Sequence, residues 1–189
     1  MWAGESERIP GRMTGAVMTA AGRHGFTLVE LMFVVGIIGI LSAVAAPGLA
    51  RTKMAASESS AIATLRTINS GQQTFWATCG SGSYSPSLQN LGLPVAGASG
   101  YVGPELSGPA PIVKSGYEIE MDTDNPVPGT SCNGGPLGTT YHATVDPQPS
   151  RGRRYFGTNG GGAIFQSFAT LFAAMPDAGV PPAPATALQ

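Results

Sequence analysis

The chain has 189 residues, with 10 Lys and Arg against 11 Asp and Glu, and its formal net charge is −1. A nearly neutral chain has no broad electrostatic attraction for nucleic acid or acidic lipid. Charged residues make up only 11%, which is low for a soluble protein, while 27 Gly and 16 Pro favour many loops and short strands.

An apolar run, residues 26–50, follows a polar leader, residues 1–25, and contains one charged residue, Glu30. A helix of about 25 residues rises roughly 38 Å, which is enough to cross a bilayer core of about 30 Å. Burying one carboxylate in such a segment costs on the order of a few kcal/mol, so Glu30 either lies solvated at the headgroup level or has a specific role as the partner of a cation. In a secretory signal peptide the apolar region precedes the cut. Here it follows the leader, so removal of the leader would leave the membrane helix on the mature protein.

A cut between Gly25 and Phe26 would give Phe26 a free α-amine. Phe26 and Glu30 would then lie one helical turn apart on the same face, so the amine is a candidate partner for the carboxylate, within one subunit or between neighbours. The sequence does not decide whether the leader begins at Met1, Met13 or Met18.

The stretch Arg23-His24-Gly25-Phe26-Thr27-Leu28-Val29-Glu30-Leu31 resembles the class III signal sequence of type IV pilins and type II secretion pseudopilins. The resemblance implies that a membrane prepilin peptidase cuts after Gly25 and N-methylates Phe26, and that Glu30 pairs with a neighbour's N-terminus during assembly. It also implies an α+β, pilin-like fold, in which a long N-terminal membrane-spanning helix packs on a small antiparallel β-sheet. The implied partners are the peptidase, copies of this chain and related pilins, and an inner-membrane assembly platform with its ATPase.

The helix is expected to continue beyond the membrane as an amphipathic half, residues 51–78, and to end near Thr78 because Gly80 and Gly82 follow. Pro47 removes a backbone hydrogen bond and predicts a kink. By resemblance, the helix melts between Gly39 and Pro47 in the filament. The residues that recur at spacings of three and four, and so predict one packed face, are Ile62, Leu65, Ile68, Gln72, Phe75 and Trp76.

Residues 79–165 are predicted to form a loop region and an antiparallel sheet. Residues 81–111 are expected to be mostly loop, with one short helical turn at 84–92. Alternating residues predict strands at 116–121 and 141–145, and Asn159-Gly160 predicts a hairpin between 154–157 and 163–165. We therefore expect a meander of three or four strands against the helix.

Cys79 and Cys132 are the two cysteines, and in an exported domain a disulfide is the default. His142, the one histidine after the leader, is predicted to point outward from its strand as a surface residue. The tail, residues 166–189, is predicted to hold a short amphipathic element and a partly disordered Pro/Ala-rich end.

Two charged clusters are candidate binding sites. Asp122, Asp124 and Asn125 are a weak calcium candidate because the full calcium-loop pattern is absent, and a solvated turn is preferred. The cluster of Arg151, Arg153 and Arg154 is interpreted as a solvated strand edge or a subunit contact, since three arginines make a weak nucleic-acid site.

Three functions remain. The first is a structural subunit of a type IV pilus-like filament. The second is a pseudopilin of a type II secretion system, and the third is a minor binding subunit at a filament tip, an adhesin or a DNA-binding protein. We expect no enzyme and no cofactor, because no nucleophile–base pair or metal cluster is evident in the sequence. Basic residues flank the apolar run on both sides, Arg23 before it and Arg51 and Lys53 after it, so charge alone leaves the orientation open. The resemblance implies the bacterial inner membrane with the N-terminus in the cytoplasm, and then an extracellular pilus or a periplasmic pseudopilus.

Overall fold

The computed structural model describes residues 25–95 and 97–188. The leader, residues 1–24, with its Arg23 and His24, lies outside the described residues. The chain divides into two compact units, the first ending at Ala43 and the second comprising Val44–Gln189. One helix, α1 (Leu28–Thr78), extends through both.

In the first unit, every side chain of α1 that is described is exposed. Large apolar groups are among them: Leu28 is 79% exposed, Met32 74% and Phe33 71%. Exposing so much apolar surface to water is unfavourable at about 25 cal/mol per Å², so this stretch requires lipid or other protein around it. By length and composition, α1 is the one helix among the described residues that can cross a membrane.

In the second unit, one face of α1 packs into the core as the spacing predicts. Leu65, Ile68, Gln72 and Phe75 are fully buried. The helix ends at Thr78, where the predicted stop lies. Trp76 departs from the prediction: it is 46% exposed, because it lies one position round the helix from Phe75, which occupies the core face.

A turn of helix, α2 (Leu88–Leu91), and a 3₁₀ turn (Pro104–Leu106) lie in the loop between α1 and the strands. The strands are β1 (Ile112–Lys114), β2 (Tyr117–Asp122), β3 (Pro126–Val127), β4 (Leu137–Gly138), β5 (His142–Pro147), β6 (Tyr155–Asn159), β7 (Ile164–Ser167) and β8 (Thr186–Ala187). Six strands within the described residues form one antiparallel sheet in the order β1-β2-β5-β6-β7-β8, and β3 and β4 form a separate two-stranded pair. Our prediction of three or four strands missed the short outer strands.

The sheet packs its inner face on α1. Tyr117, Ile119 and Met121 of β2 are buried and alternate with outward acidic residues, as predicted. In the predicted β6–β7 hairpin, the Gly162 amide donates to the Asn159 carbonyl at 2.8 Å, closing the turn.

The described part of the tail, residues 166–188, contacts the sheet at several points, and partial disorder of its Pro/Ala-rich end stays a prediction. Gln166 and Ser167 continue β7, and β8 pairs with β7 at the far edge of the sheet. Leu171 and Met175 are buried with Phe165 in a second small core. A Cβ on Gly157 would lie 2.9 Å from the Met175 sulfur, so the tail covers the outer face of the sheet there. Buried apolar contacts and strand pairing therefore connect the tail to the sheet.

Candidate functional site

The residues around the predicted cut precede the helix. Gly25, Phe26 and Thr27 have no regular structure, and α1 begins at Leu28. Phe26 is 78% exposed, and no atom lies within 4 Å of the position that a Cβ on Gly25 would take. An open, non-helical backbone with a small residue suits a peptidase that must reach the 25–26 bond. The cleavage site itself stays a prediction.

Thr27 caps the helix. Its hydroxyl accepts a hydrogen bond from the Glu30 amide at 3.2 Å, and its carbonyl accepts from the Leu31 amide at 3.2 Å. Thr-x-x-Glu is the capping-box pattern, which marks a helix N-terminus. The pattern is present in the sequence, but our prediction of the helix did not use it. Glu30 thus occupies the first turn, where the helix dipole stabilises a negative charge.

The geometry of the predicted ion pair depends on the cut. In this uncleaved chain Phe26 lies before the cap, not within the helix, so it does not yet share a helical face with Glu30. Both side chains are exposed. The pairing of a new Phe26 amine with Glu30, in the same or a neighbouring subunit, stays a prediction.

Gly39 and Pro47 lie inside α1, and the helix continues without a break past Pro47. Both are exposed, and a Cβ on Gly39 would meet no atom within 4 Å. Neither the kink nor local melting is tested by this geometry, so both remain predictions.

The disulfide expected between Cys79 and Cys132 is present. It joins the residue after α1 to the loop between β3 and β4, and the Cys132 amide also donates to the Cys79 carbonyl at 3.2 Å. The bond closes a loop with a sequence separation of 53 residues. The disulfide thereby fixes the C-terminal end of α1 to the loop between β3 and β4.

His142 is buried, and our prediction of a surface residue is wrong. Its Nδ1 lies 2.6 Å from the Asp177 carboxylate. The other oxygen of Asp177 accepts from the Asp124 amide at 2.9 Å, the Asn125 side chain at 3.0 Å and the Thr123 hydroxyl at 3.3 Å. Burial opposes ionisation of Asp177, but these donors outweigh it and hold the pKa of its carboxyl below the usual range. Asp177 therefore anchors the tail to the turn after β2.

Two residues of the weak calcium candidate, Asp122 and Asn125, have hydrogen-bond partners within the chain. Asp122 accepts from the Thr123 amide at 2.8 Å, and Asn125 turns its amide nitrogen toward Asp177. Among the described residues, the group that could offer three ligands is Asp124, His142 and Asp177, with ligand atoms within 4.8 Å of one another. Hydrogen-bond donors already contact both carboxylate oxygens of Asp177. The group of Asp124, His142 and Asp177 can therefore act as a structural anchor for the tail. No local pattern in the sequence links positions 142 and 177.

The arginine cluster is divided by the fold. Arg154 forms an ion pair with Glu58 of α1, in which Nε and Nη2 both donate to Oε2, at 2.8 and 2.6 Å. Its guanidinium lies 5.6 Å from the centre of the Phe156 ring. The Arg153 amide donates to the same carboxylate at 3.2 Å. The side chains of Arg151 and Arg153 are exposed. The expectation of a solvated edge thus holds for these two arginines and is wrong for Arg154.

Comparison with known proteins points to the same N-terminal segment. A family model described as the prokaryotic N-terminal methylation motif matches residues 20–46. The chain thus carries the N-terminal methylation motif of prokaryotic proteins. It is 41% identical over 54 residues to the type IV major pilin protein PilA of Myxococcus xanthus (strain DK1622). That match covers 29% of this chain and 24% of the relative, so it spans about a quarter of the relative's length. No solved structure matches the chain.

The N-terminal methylation motif and the fold agree. The motif ends inside a 51-residue helix whose first part is apolar and exposed, and an antiparallel sheet follows this helix. This is an α+β, pilin-like architecture, as the resemblance implies.

Proposed function

We propose that this chain is the structural subunit of a type IV pilus-like filament. A prepilin peptidase removes residues 1–25 and methylates Phe26, residues 26–50 hold the chain in the inner membrane, and copies then assemble by packing these helices together. The assembly platform, its ATPase and related pilins are the further partners. The outer part, residues 51–188, faces away from the cytoplasm before assembly and coats the filament after it.

The single observation that supports this most strongly is the exposed apolar surface at the start of α1, which the methylation motif largely covers in sequence. Lipid can cover that surface in the membrane, and neighbouring helices can cover it in a filament. Both environments exclude water, so the subunit can pass from one to the other without exposing its apolar residues.

Glu30 is the residue to which we assign assembly. An ionised carboxylate inside an apolar assembly costs a few kcal/mol unless a cation partners it. The new α-amine of Phe26 in a neighbouring subunit supplies that cation. Pairing would then favour the register in which the two charges meet, and would disfavour registers that leave Glu30 alone.

Replacing Glu30 with Ala or Gln tests this role. We expect normally cleaved and methylated protein in the membrane, with filament yield at least about tenfold lower, since loss of about 1.4 kcal/mol per contact already gives that factor. Glu105→Gln is the matched control, because this exposed acid lies in the second unit and pairs with Lys114. The measurement compares sheared filaments with membrane protein by immunoblot. Normal filament yield from both Glu30 variants would contradict the assignment.

A pseudopilin of a type II secretion system is the second candidate, because the resemblance at residues 23–31 is shared by both classes. The similarity to a protein named a major pilin favours the pilus. The presence of Glu30 disfavours a minor tip subunit with an adhesin or DNA-binding role. Filaments sheared from the cell surface would support the pilus, and protein confined to the periplasm and membrane would support the pseudopilus.

A further inference from the structure

A cationic cleft of about 540 Å³ lies in the second unit, beside the part of α1 that follows the apolar run. Three segments distant in sequence form it: α1, the turn between β1 and β2, and the loop after β5. Its polar lining consists of Lys53, Ser57, Ser60, Ser115, Gln148 and Arg151.

The three segments are held together by direct contacts. The Ser60 hydroxyl donates to the Ser115 hydroxyl at 2.9 Å, which ties α1 to the turn. The Gln148 amide donates to the Gly116 carbonyl at 2.9 Å, and the Arg151 amide donates to the Gln148 carbonyl at 3.0 Å. Gly116 has φ +81°, and a Cβ there would lie 2.7 Å from the Arg151 Cγ. A glycine at this position therefore provides the space in which the Arg151 stem lies.

The cleft carries positive charge without a compensating acid in its lining. Lys53 and Arg151 take part in none of the ion pairs found among residues 25–95 and 97–188. The acid of this part of α1, Glu58, is occupied by Arg154 and by the Arg153 amide. The Gln148 side-chain amide donates to the Glu118 carboxylate at 3.4 Å, so the groups of this lining that remain for a ligand are the two cations and the serine hydroxyls. These match the chemistry of a phosphate group, which accepts charge-assisted hydrogen bonds.

The position of the cleft along α1 indicates where such a phosphate would come from. Lys53 lies three residues beyond Ala50, the end of the apolar run, which is about 4.5 Å along the helix. The headgroup layer of a bilayer is roughly 5–7 Å thick on each side of the hydrocarbon core. An adjoining cleft of about 410 Å³ contains Ala50 and Met54 together with the same two cations, so the positive charge reaches the end of the apolar run.

We propose that this cleft binds the phosphate of an anionic membrane lipid such as phosphatidylglycerol. The inference rests on the membrane anchoring contained in the proposed function. Before assembly, the bound lipid would hold Lys53 and Arg151 at the headgroup layer, and withdrawal of the helix from the bilayer would break these contacts.

The test uses the full chain reconstituted in phosphatidylcholine vesicles that contain trace spin-labelled lipid. Electron paramagnetic resonance then gives the fraction of label immobilised by the protein, for phosphatidylglycerol and for phosphatidylcholine. We expect the wild type to prefer phosphatidylglycerol, and Lys53→Gln and Arg151→Gln each to lower that preference by about twofold to fivefold. Arg66→Gln is the matched control, because Arg66 is an exposed cation on the same helix that lines a separate cleft. Circular dichroism confirms that each variant is folded.

Several results would overturn the proposal. A chain that inserts but shows no preference, or a preference unaffected by both variants, overturns the lipid site and leaves membrane anchoring intact. Inorganic phosphate is titrated in parallel by nuclear magnetic resonance. Binding of free phosphate that depends on Lys53 and Arg151, without lipid preference, would identify a soluble-anion site instead. A chain that does not enter vesicles overturns both the anchoring and the lipid site.

Discussion

Replacing Arg154 with Met should destabilise the second unit more than replacing its partner Glu58 with Gln. Arg154 contacts Glu58 through Nε and Nη2 and donates from Nη1 to Gln166 at 3.0 Å. Its side chain is 37% exposed, whereas that of Glu58 is 11% exposed. The methionine keeps an apolar stem over Phe156 and removes the charge, so the perturbation is mainly electrostatic.

The expected magnitudes follow from this difference in burial. Removing one partner of a fully buried ion pair costs about 3–5 kcal/mol, because the other charge is left uncompensated. Water reaches the arginine side of this pair and the Arg153 amide still binds Glu58, so we expect about 2 kcal/mol for Arg154→Met. Glu58→Gln leaves a guanidinium that water can hydrate, and we expect about 1 kcal/mol. The double variant should cost less than the sum by roughly 1 kcal/mol.

The assay is denaturant unfolding of the full chain in detergent micelles, followed by tryptophan fluorescence and by circular dichroism. Arg153→Met is the matched control, because the Arg153 side chain is exposed and its contact to Glu58 is made by the backbone. It should change the free energy of unfolding by less than about 0.5 kcal/mol. If Arg154→Met behaves like this control, or if Glu58→Gln is the more costly change, the burial of Glu58 does not determine the cost of breaking the pair.

Two further predictions concern the second unit. The double variant Cys79→Ser, Cys132→Ser should have a free energy of unfolding about 4 kcal/mol lower, because the disulfide closes a long loop in the unfolded chain. An unchanged free energy of unfolding in this variant would contradict the prediction. Burial raises the pKa of Asp146, and the Glu118 carboxylate across the strand pair raises it further, while the Thr170 hydroxyl offsets part of the shift. The folded state therefore binds protons more tightly than the unfolded state, and stability from this group is lost as the pH rises through the raised pKa. The Asp146→Asn variant should be more stable than the wild type at pH 7 by roughly 0.2–1 kcal/mol, and this gain in stability should vanish at about pH 3. Melting curves in which the gain grows as the pH falls would refute the prediction.

Local signals in the sequence predicted much of the fold. The end of α1 follows from Gly80 and Gly82, and the β6–β7 hairpin follows from Asn159-Gly160, since each depends on neighbouring residues. The cysteines could be paired because the chain has only two. For the helix end and the hairpin, the residues that determine the structure are neighbours in the sequence. For the two cysteines, only one pairing is possible.

Contacts between distant segments could not be predicted in this way. Alternation along β5 indicated an outward His142, but this assumed that solvent covers the second face. The tail covers that face instead, and Asp177 binds His142 at a sequence separation of 35 residues. Gln72 is a similar case: it lies fully buried on the helix face and binds the Ser85 amide and carbonyl, at 3.0 and 2.6 Å. Such partners are identified only once the fold has brought them together.

In the candidate site, too, local features could be predicted from the sequence, and contacts between distant segments could not. The apolar run and Glu30 are evident in the sequence, and so is the Thr27 cap once the capping box is considered. The cationic cleft is not, because Lys53, Ser115 and Arg151 come from three segments. In the sequence, the arginines of the loop form one cluster, whereas the fold turns Arg154 onto Glu58 and leaves Arg151 in the cleft.

Peptide mass spectrometry of sheared surface fibres, compared with the membrane fraction, decides whether the chain is a processed filament subunit. We expect a peptide that begins at N-methylated Phe26 in the fibres, and its loss in a Gly25→Val variant. The same peptide found only in membranes would favour a pseudopilin or a minor subunit over a pilus subunit. If only peptides that span the bond between Gly25 and Phe26 are found, the chain is not processed, and its assignment as a cleaved filament subunit is contradicted.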